Sequence, residues 1–395
     1  MDPGPAAGFR WHPAARIADD KAPVTDTQFQ PVIPERPPGP ALATALAGQG
    51  RPFRIGGSGP APEPGAQPMF ETLTGGSTGT PRRIRRTQAS WTASFAVNAG
   101  LFGLGPTTTT AVLGHLGHSL ALYGALESLH LGAALHLLGA LHPGRQRAAL
   151  AKAVALIYAT PTQLRLLTEA PGPVLPARDI LVGGSKLDPA LRRAIAAMAP
   201  DAAVHEFYGA AETSFVTLAG PDAPDASVGR PYHGVTLAIR GLAGAELAAG
   251  QTGEIWVQSP YLFEGYAGTT GSARWQDGWL SVGEHGRLEH GYLTLAGRAG
   301  RMVKIADRAV YPEEVEAVLQ AQTGVTRAAV LPRPDPKRGH TLVALVQGNA
   351  SDAALLTALR QAFGTMVAPK AILRPADWPM LPSGKTDLVA LARLV

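Results

Sequence analysis

From residue 69 to residue 207 the chain alternates short apolar stretches of strand length with longer stretches of helical period. Strands are expected at 69–73, 111–114, 133–138, 155–158, 179–182 and 203–207, and helices at 88–102, 120–131, 147–153 and 189–198. A further helix opens at Pro161, in a first turn where the missing proline N–H is not needed. Short apolar strands interleaved with helices predict an α/β fold built on a largely parallel sheet. In such sheets ligands sit beyond the carboxyl ends of the strands. Three turns rich in glycine and hydroxyl residues, at 74–82, 183–185 and 208–213, are expected at such ends.

The first of these turns reads Thr74-Gly75-Gly76-Ser77-Thr78-Gly79-Thr80-Pro81-Arg82. Glycines let the backbone take positive φ and approach a ligand closely. Successive N–H groups in such a turn form a concavity for an anion. The hydroxyls add donors for phosphate oxygens or a ligand for Mg²⁺, and Arg82 adds a fixed positive charge. The spacing is neither the Walker nor the Rossmann pattern. Taken alone, it also fits an ordinary flexible glycine turn.

Composition narrows the field. The chain has 395 residues, 45% hydrophobic and 16% charged, which fits a soluble globular protein of two or more domains. It has no cysteine, which removes disulfides, thiolate metal sites and a cysteine nucleophile and accords with a cytoplasmic setting. The net charge of +5 is mild and suits an anionic small molecule. The basic run Arg82-Arg83-Ile84-Arg85-Arg86 has no interleaved aromatic platform, which argues against nucleic acid. The apolar stretch 111–141 carries Glu127 and several histidines, so a buried helix and strand are expected there rather than a membrane span. His115 and His118 have the spacing of half a metal site, but nothing nearby supplies a third ligand, so structural histidines are expected.

The ends of the chain differ in texture. Residues 1–70, rich in proline and glycine, are expected to form an irregular arm. From 228 onward, strands at 235–240, 254–258 and 292–296 predict an antiparallel subdomain. Glycines at 297 and 300 mark a junction. Beyond it, a helix at 312–321, strands at 328–332 and 342–346 and a helix at 352–363 predict a small α+β unit. The chain is thus divided into an arm (1–70), a core domain (71–298) and a C-terminal lid (299–395), which ends in a turn presenting Lys385.

In this order the motifs resemble those of the adenylate-forming superfamily of acyl-CoA synthetases, peptide-synthetase adenylation domains and luciferases. The glycine turn is similar to the family's S/T-G-x-T-G-x-P-K loop, and Gly183-Gly184-Ser185 to its G-G-A/S turn. Tyr208-Gly209-Ala210-Ala211-Glu212 resembles Y-G-x-T-E, and Asp277 to Glu284 resembles D-G-W-x-x-T-G-D. Gly297-Arg298, Lys304 and the 310–316 block follow in register, and Pro382-Ser383-Gly384-Lys385 resembles the terminal P-x-G-K. The resemblance implies a two-step reaction: a carboxylate attacks the α-phosphate of ATP to give an acyl-adenylate and pyrophosphate, and a thiol, commonly that of CoA, then displaces AMP. It also implies a C-terminal domain that rotates between the two steps.

The implied roles follow residue by residue. Thr74, Gly75, Gly76, Ser77, Thr78 and Gly79 would hold the phosphates, with Arg82 where lysine is usual. Thr78 and Glu212 would position Mg²⁺. Gly183, Gly184 and Ser185 would flank adenine, Tyr208 would stack on it with Gly209 beside it in the nucleotide site, and Glu284 and Arg298 would hold the ribose. Lys385 would neutralise charge building on the α-phosphate. Lys304 matches a lysine that assists adenylation in coumarate–CoA ligases, and His118 the histidine at the family's acyl pocket.

The chain also departs from the pattern. Glu284 replaces aspartate, Ala211 replaces threonine, Gly300 stands at the hinge, and Asp307 stands where a glycine usually lines the pantetheine tunnel. Relatives carry about a hundred further residues before the phosphate loop; the shortening could expose apolar surface that a homodimer would cover. The acyl pocket is expected from His118, Leu122, Tyr123, Phe207, Phe215 and Val216, with the phenylalanines shortening it towards a flat aromatic acid. The expected activity is therefore that of a 4-coumarate–CoA ligase, resembling compact bacterial enzymes of that kind and taking a small carboxylic acid, ATP, Mg²⁺ and CoA. The rivals are an adenylating enzyme that loads a carrier protein, for which Asp307 speaks, and a non-catalytic nucleotide-binding protein, for which Ala211 speaks.

Overall fold

In the computed structural model, which describes residues 8–18, 28–74, 82–268, 271–381 and 386–395, the expected α/β architecture is present. Strands Arg16–Ile17, Ala134–Leu137, Thr109–Val112, Val154–Ala159, Ala177–Val182 and Ala203–Ala210 lie side by side and parallel. Ser214–Ala219 and Arg230–Pro231 extend this sheet antiparallel. Both faces are covered. Phe95, Leu122 and Leu126 pack on Val112, Leu156 and Tyr158 on one side, and Leu164, Leu191 and Ile195 pack on Ala111, Ile157 and Ile180 on the other. Burial on both faces is why these strands read as continuous apolar runs.

Local chemistry sets the helix ends. Thr160 and Gln163 form a reciprocal capping box ahead of Pro161–Glu169, and Asp188 caps Pro189–Met198 by accepting from the Leu191 N–H. The helix expected at 147–153 lies earlier, at Pro143–Ala149, because Pro143 occupies its first turn and the His142 ring accepts from the Gly144 N–H.

The glycine turn belongs to a different sheet from the one expected. It links Met69–Leu73 to Arg83–Thr87, an antiparallel pair in a five-stranded sheet completed by Gly265–Ala267, Phe53–Ile55 and Val32–Ile33. Part of the supposed arm is therefore regular structure. Helix Pro38–Ala47 and two parallel strands bring Ile33, Leu42, Phe53 and Ile55 into the core. Arg54, wholly buried, pairs with Glu71 at 2.6 Å and donates to the carbonyls of Gly56, Ser58, Gly59 and Pro60, which ties this segment to the strand leading into the glycine turn.

A six-stranded antiparallel sheet follows, from Thr236–Arg240 to Tyr292–Arg298. A short 3₁₀ turn, Ala299–Arg301, then leads into the small C-terminal domain. There strands Val325–Asp335 and Gly339–Gly348 and helices Pro312–Gln320 and Asp352–Val367 enclose a separate core around Val315, Leu319, Val330, Ala344 and Leu359.

Two buried polar groups brace the large domain. Glu127 accepts from Asn98 at 2.9 Å, from the Tyr123 hydroxyl at 3.0 Å and from the Tyr158 hydroxyl, all inside the apolar core. Burial raises its carboxyl from 4.5 to about 7, against the opposing effect of those hydrogen bonds. Arg86, also fully buried, donates to the carbonyl of Ala211 at 2.6 Å and to that of Tyr261, with its guanidinium over the Trp91 ring. Burial lowers it to about 9, opposed most by Glu212, so it is charged at neutral pH.

Two outcomes are expected. Because the folded carboxyl of Glu127 titrates higher than the unfolded one, its stabilising protonated form is fully present below about pH 4.5 and is lost as pH rises through about 7. Relative to Glu127→Gln, the wild type should lose about 3 kcal/mol across that window; parallel stability profiles for the two proteins would refute this. Arg86→Met leaves two buried carbonyls without donors, at a cost of about 1–3 kcal/mol each. It should lower the apparent Tm by several degrees, with Arg86→Lys only partly restoring it because an ammonium lacks the planar fork.

Candidate active site

The site is built where the two sheets meet. Thr74 and Arg82 close the glycine turn on themselves: the Thr74 N–H donates to the Arg82 carbonyl, and the Arg82 N–H donates to the Thr74 hydroxyl, both at 3.0 Å. The Thr74 hydroxyl is thus engaged in shaping the turn. Gly75, Gly76, Ser77, Thr78 and Gly79 lie outside the described residues, as does Lys385.

His118 stands beside the entrance to the turn. It is exposed, bridges to Leu73 and precedes helix Ser119–Leu131, whose Ser119 hydroxyl contacts Thr72 at 2.9 Å and donates to the Leu73 carbonyl at 3.1 Å. His115 lies 3.6 Å from Glu35. Among the described residues no group of acidic or histidine side chains is arranged to hold a metal by itself.

The second turn packs through Gly183 on Phe207, and the third is pinched at Gly209 within its own hairpin. A Cβ on Gly183 would lie 2.2 Å from the Phe207 ring, and one on Gly209 would lie 1.9 Å from the Ser214 carbonyl oxygen. Glycine at these positions is a packing requirement. Gly184, with φ near +100°, takes a conformation that favours glycine, and it and Ser185 are exposed. The segment 208–213 was expected to follow the strand; instead the strand continues through Tyr208, Gly209 and Ala210 into a hairpin with Ser214–Ala219, shifting register at Tyr208/Gly209. A bulge of this kind re-aims side chains.

Two chains of contacts lead away from this hairpin. In one, the Tyr208 hydroxyl donates to Glu284, whose other oxygen lies 3.3 Å from Arg298 Nε, and Glu284 and Arg298 are cross-strand partners. Burial, then the Glu284 charge, pushes the tyrosine hydroxyl well above its ordinary range. In the other, Glu212, only 9% exposed, accepts from the Tyr266 hydroxyl at 2.9 Å. The Arg82 guanidinium lies 5.9 Å from the centre of the Tyr266 ring. The start of the turn, its closing arginine and the acidic residue are thereby gathered into one region.

Other expected site residues lie elsewhere. Leu122, Tyr123, Phe215 and Val216 are each no more than 3% exposed. The Tyr123 hydroxyl is engaged by Ser94, Asn98 and Glu127, and Phe215 lies between Phe207, Tyr123 and Tyr232. They form packed core behind the site rather than an open wall. Phe207, half-buried against Gly183, remains the aromatic surface of that region. Lys304 is exposed on Val303–Ile305 in the C-terminal domain, and no described contact joins it to Tyr208, Glu212 or Glu284. Tyr266 and Arg86 escaped the sequence reading. A period-2 strand pattern over 83–87, which buries Ile84 and Arg86, was the available signal for Arg86.

The donor set suits a nucleotide with a hard cation. It offers a buried carboxylate, hydroxyls and a guanidinium around a turn, and oxygen ligands are what Mg²⁺ requires. Thr213 does not replace the hydroxyl absent at Ala211: it is 1% exposed and accepts from the Ala210 N–H at 2.9 Å.

Comparison with known proteins accords with this arrangement. The model of the AMP-binding enzyme family matches residues 15–267, and that of the AMP-binding enzyme C-terminal domain matches 314–385. An uncharacterized acyl–CoA ligase, YhfT, from Bacillus subtilis is 32% identical over 324 residues, covering 80% of this chain and 67% of the relative. A putative long chain fatty acid–CoA ligase, VraA, from Staphylococcus haemolyticus is 26% identical over 79% of this chain and 67% of its own length. The chain thus spans about two thirds of these relatives. O-succinylbenzoate coenzyme A synthetase of Bacillus subtilis, solved with ATP and magnesium ion, shares the fold with a TM-score of 0.71 at 23% identity, over 82% of this chain and 69% of that one. The chain belongs to the AMP-binding, adenylate-forming enzyme family.

Proposed function

We propose that the chain is an ATP-dependent acid–thiol ligase that activates a carboxylic acid as its adenylate and passes the acyl group to CoA. The observation that carries this reading is the gathering of Glu212, Tyr266 and Arg82 at the closed end of the glycine turn. The turn and Arg82 bind the phosphates, and Glu212 with Thr78 holds the cation. Bound there, Mg²⁺ would neutralise phosphate charge. Glu284 and Arg298 hold the ribose, and the extra methylene of Glu284 is accommodated by the Tyr208 hydroxyl. Lys385 meets the attacking carboxylate and the α-phosphate after rotation at the 299–301 junction.

For the acid, we favour a compact aromatic carboxylate of the hydroxycinnamate class. Support comes from Phe207 against Gly183 and from the fully buried Phe215 behind it, which leave little length for an extended chain. Carrier-protein loading is the second reading, favoured by Asp307, whose side chain is exposed in the turn between Val303–Ile305 and Arg308–Val310.

Acid-dependent ATP–pyrophosphate exchange tests the adenylating step. Exchange with 4-coumarate and not palmitate is expected; exchange with palmitate alone would overturn the aromatic assignment, and no exchange with any acid would overturn the ligase reading. Adding CoA or a phosphopantetheinyl carrier to the preformed adenylate distinguishes the two acceptors. Lys385→Ala should lower exchange by about 10²–10³-fold while ATP still binds; undiminished exchange in that variant would remove the lysine from the reaction.

A further inference from the structure

Tyr266 is given no role of its own in the reading above, yet it stands between two of its groups. It lies on Gly265–Ala267, the edge strand that pairs with Arg83–Thr87 immediately after the glycine turn. Its ring packs edge-on to Phe263 at 5.0 Å and faces the Arg82 guanidinium. Its hydroxyl donates to one oxygen of Glu212 at 2.9 Å. An ionised carboxylate only accepts, so the hydroxyl's single proton is directed at it. The Glu212 main chain is fixed separately, by the Phe263 N–H donating to its carbonyl at 2.9 Å and by Arg86 holding the preceding carbonyl. Backbone and side chain of the acidic residue are thus pinned independently. Among the described residues Tyr266 is the one group that hydrogen-bonds its carboxylate.

We propose that Tyr266 is a positioning residue: its hydroxyl holds Glu212 with one oxygen turned to the cation that accompanies ATP, while Arg82 over the ring couples that orientation to the closed glycine turn. The inference rests on the nucleotide-binding part of the function proposed above. A carboxylate that ligates a metal is commonly oriented by such an outer partner, and its removal typically costs 10–100-fold in metal affinity or activity.

The test is ATP binding by calorimetry across a Mg²⁺ series, which needs no turnover. Tyr266→Phe, which removes only the hydroxyl, should raise the Mg²⁺ concentration giving half the full ATP affinity by about tenfold, with ATP binding near wild type at saturating Mg²⁺. Glu212→Asp, which keeps the charge but draws the carboxylate back from the hydroxyl, should shift the series in the same direction. In a Glu212→Gln background Tyr266→Phe should add nothing, because the two residues act as a unit. An unchanged Mg²⁺ dependence in Tyr266→Phe, or effects of the two substitutions that simply add, would overturn the proposal. Wild-type protein that binds ATP with Mg²⁺ but catalyses no exchange with any acid would sink the ligase reading and leave this one to the calorimetry. Wild-type protein that does not bind ATP would sink both.

Discussion

The buried Arg86 guanidinium fixes where the acidic residue of the site stands. It enters on a strand of the five-stranded sheet and ends on the carbonyls of Ala211 and Tyr261. A buried cation without a direct carboxylate partner is costly, and it persists only where hydrogen bonds replace its water. Here those of the two terminal nitrogens do so, while Nε has no hydrogen-bond partner among the described residues, by joining three segments distant in sequence: the strand after the glycine turn, the turn after Tyr208 and the loop before Tyr266. The carbonyl of residue 211 is what the fold uses, so the loss of a threonine side chain there leaves the scaffold intact. Its cost is confined to one hydroxyl at the site, since Thr213 is turned into the structure.

A second line of polar contacts runs from the site to the C-terminal domain. Tyr208 meets Glu284, Glu284 meets Arg298, and the Arg298 N–H reaches Glu313 at 3.4 Å. Beyond the junction, Arg301 is gripped by Glu316 at 2.7 Å, and Glu316 also accepts from the Val330 N–H. The two grips are unequal. The Arg298 side chain is half exposed, and such a pair contributes on the order of 0–1 kcal/mol. The Arg301 pair is more enclosed and belongs wholly to the C-terminal side. Between them Gly300 faces open space, where no neighbouring atom would meet a side chain. A rotation at 299–301 would carry Arg301 with the C-terminal domain, and besides the solvated Arg298 contacts it would have to break the partly buried pairing of the Tyr311 hydroxyl with the His285 ring.

The sheet-and-helix alternation was legible because strands covered on both faces must be apolar throughout, and Pro189 and Pro161 sit where a helix can begin. The strand Arg83–Thr87 was not, because its sequence is four-fifths polar and reads as a surface patch until the outward Arg83 and Arg85 are separated from the inward Arg86. Helix Pro38–Ala47 was hidden by Pro38 and Pro40, which mark irregular chain in composition but are tolerated in a first turn. The Glu284–Arg298 pair, fourteen residues apart in sequence, is brought together as cross-strand neighbours. Tyr266 carried no signal at all: its partner Glu212 is 54 residues away, and only the sheet brings them together.

The acyl side of the site follows from the same distinction between exposed and engaged groups. From sequence, Tyr123 is expected among the residues lining the acyl pocket. In the fold its hydroxyl is held among Ser94, Asn98 and Glu127, whose second oxygen is taken by Tyr158. To turn towards a ligand it would abandon a buried carboxylate whose burial already favours the protonated form. On the function proposed above, a polar group on the acid would instead be met from the side of His118, which is exposed beside Leu73 at the start of the glycine turn. The Tyr123 cluster then acts as rigid backing: it keeps Phe215 in place behind Phe207, and Phe207 in turn is the surface against which Gly183 leaves room for nothing larger than itself. Selectivity among acids would on this account be set by ring packing at one end and a single imidazole at the other.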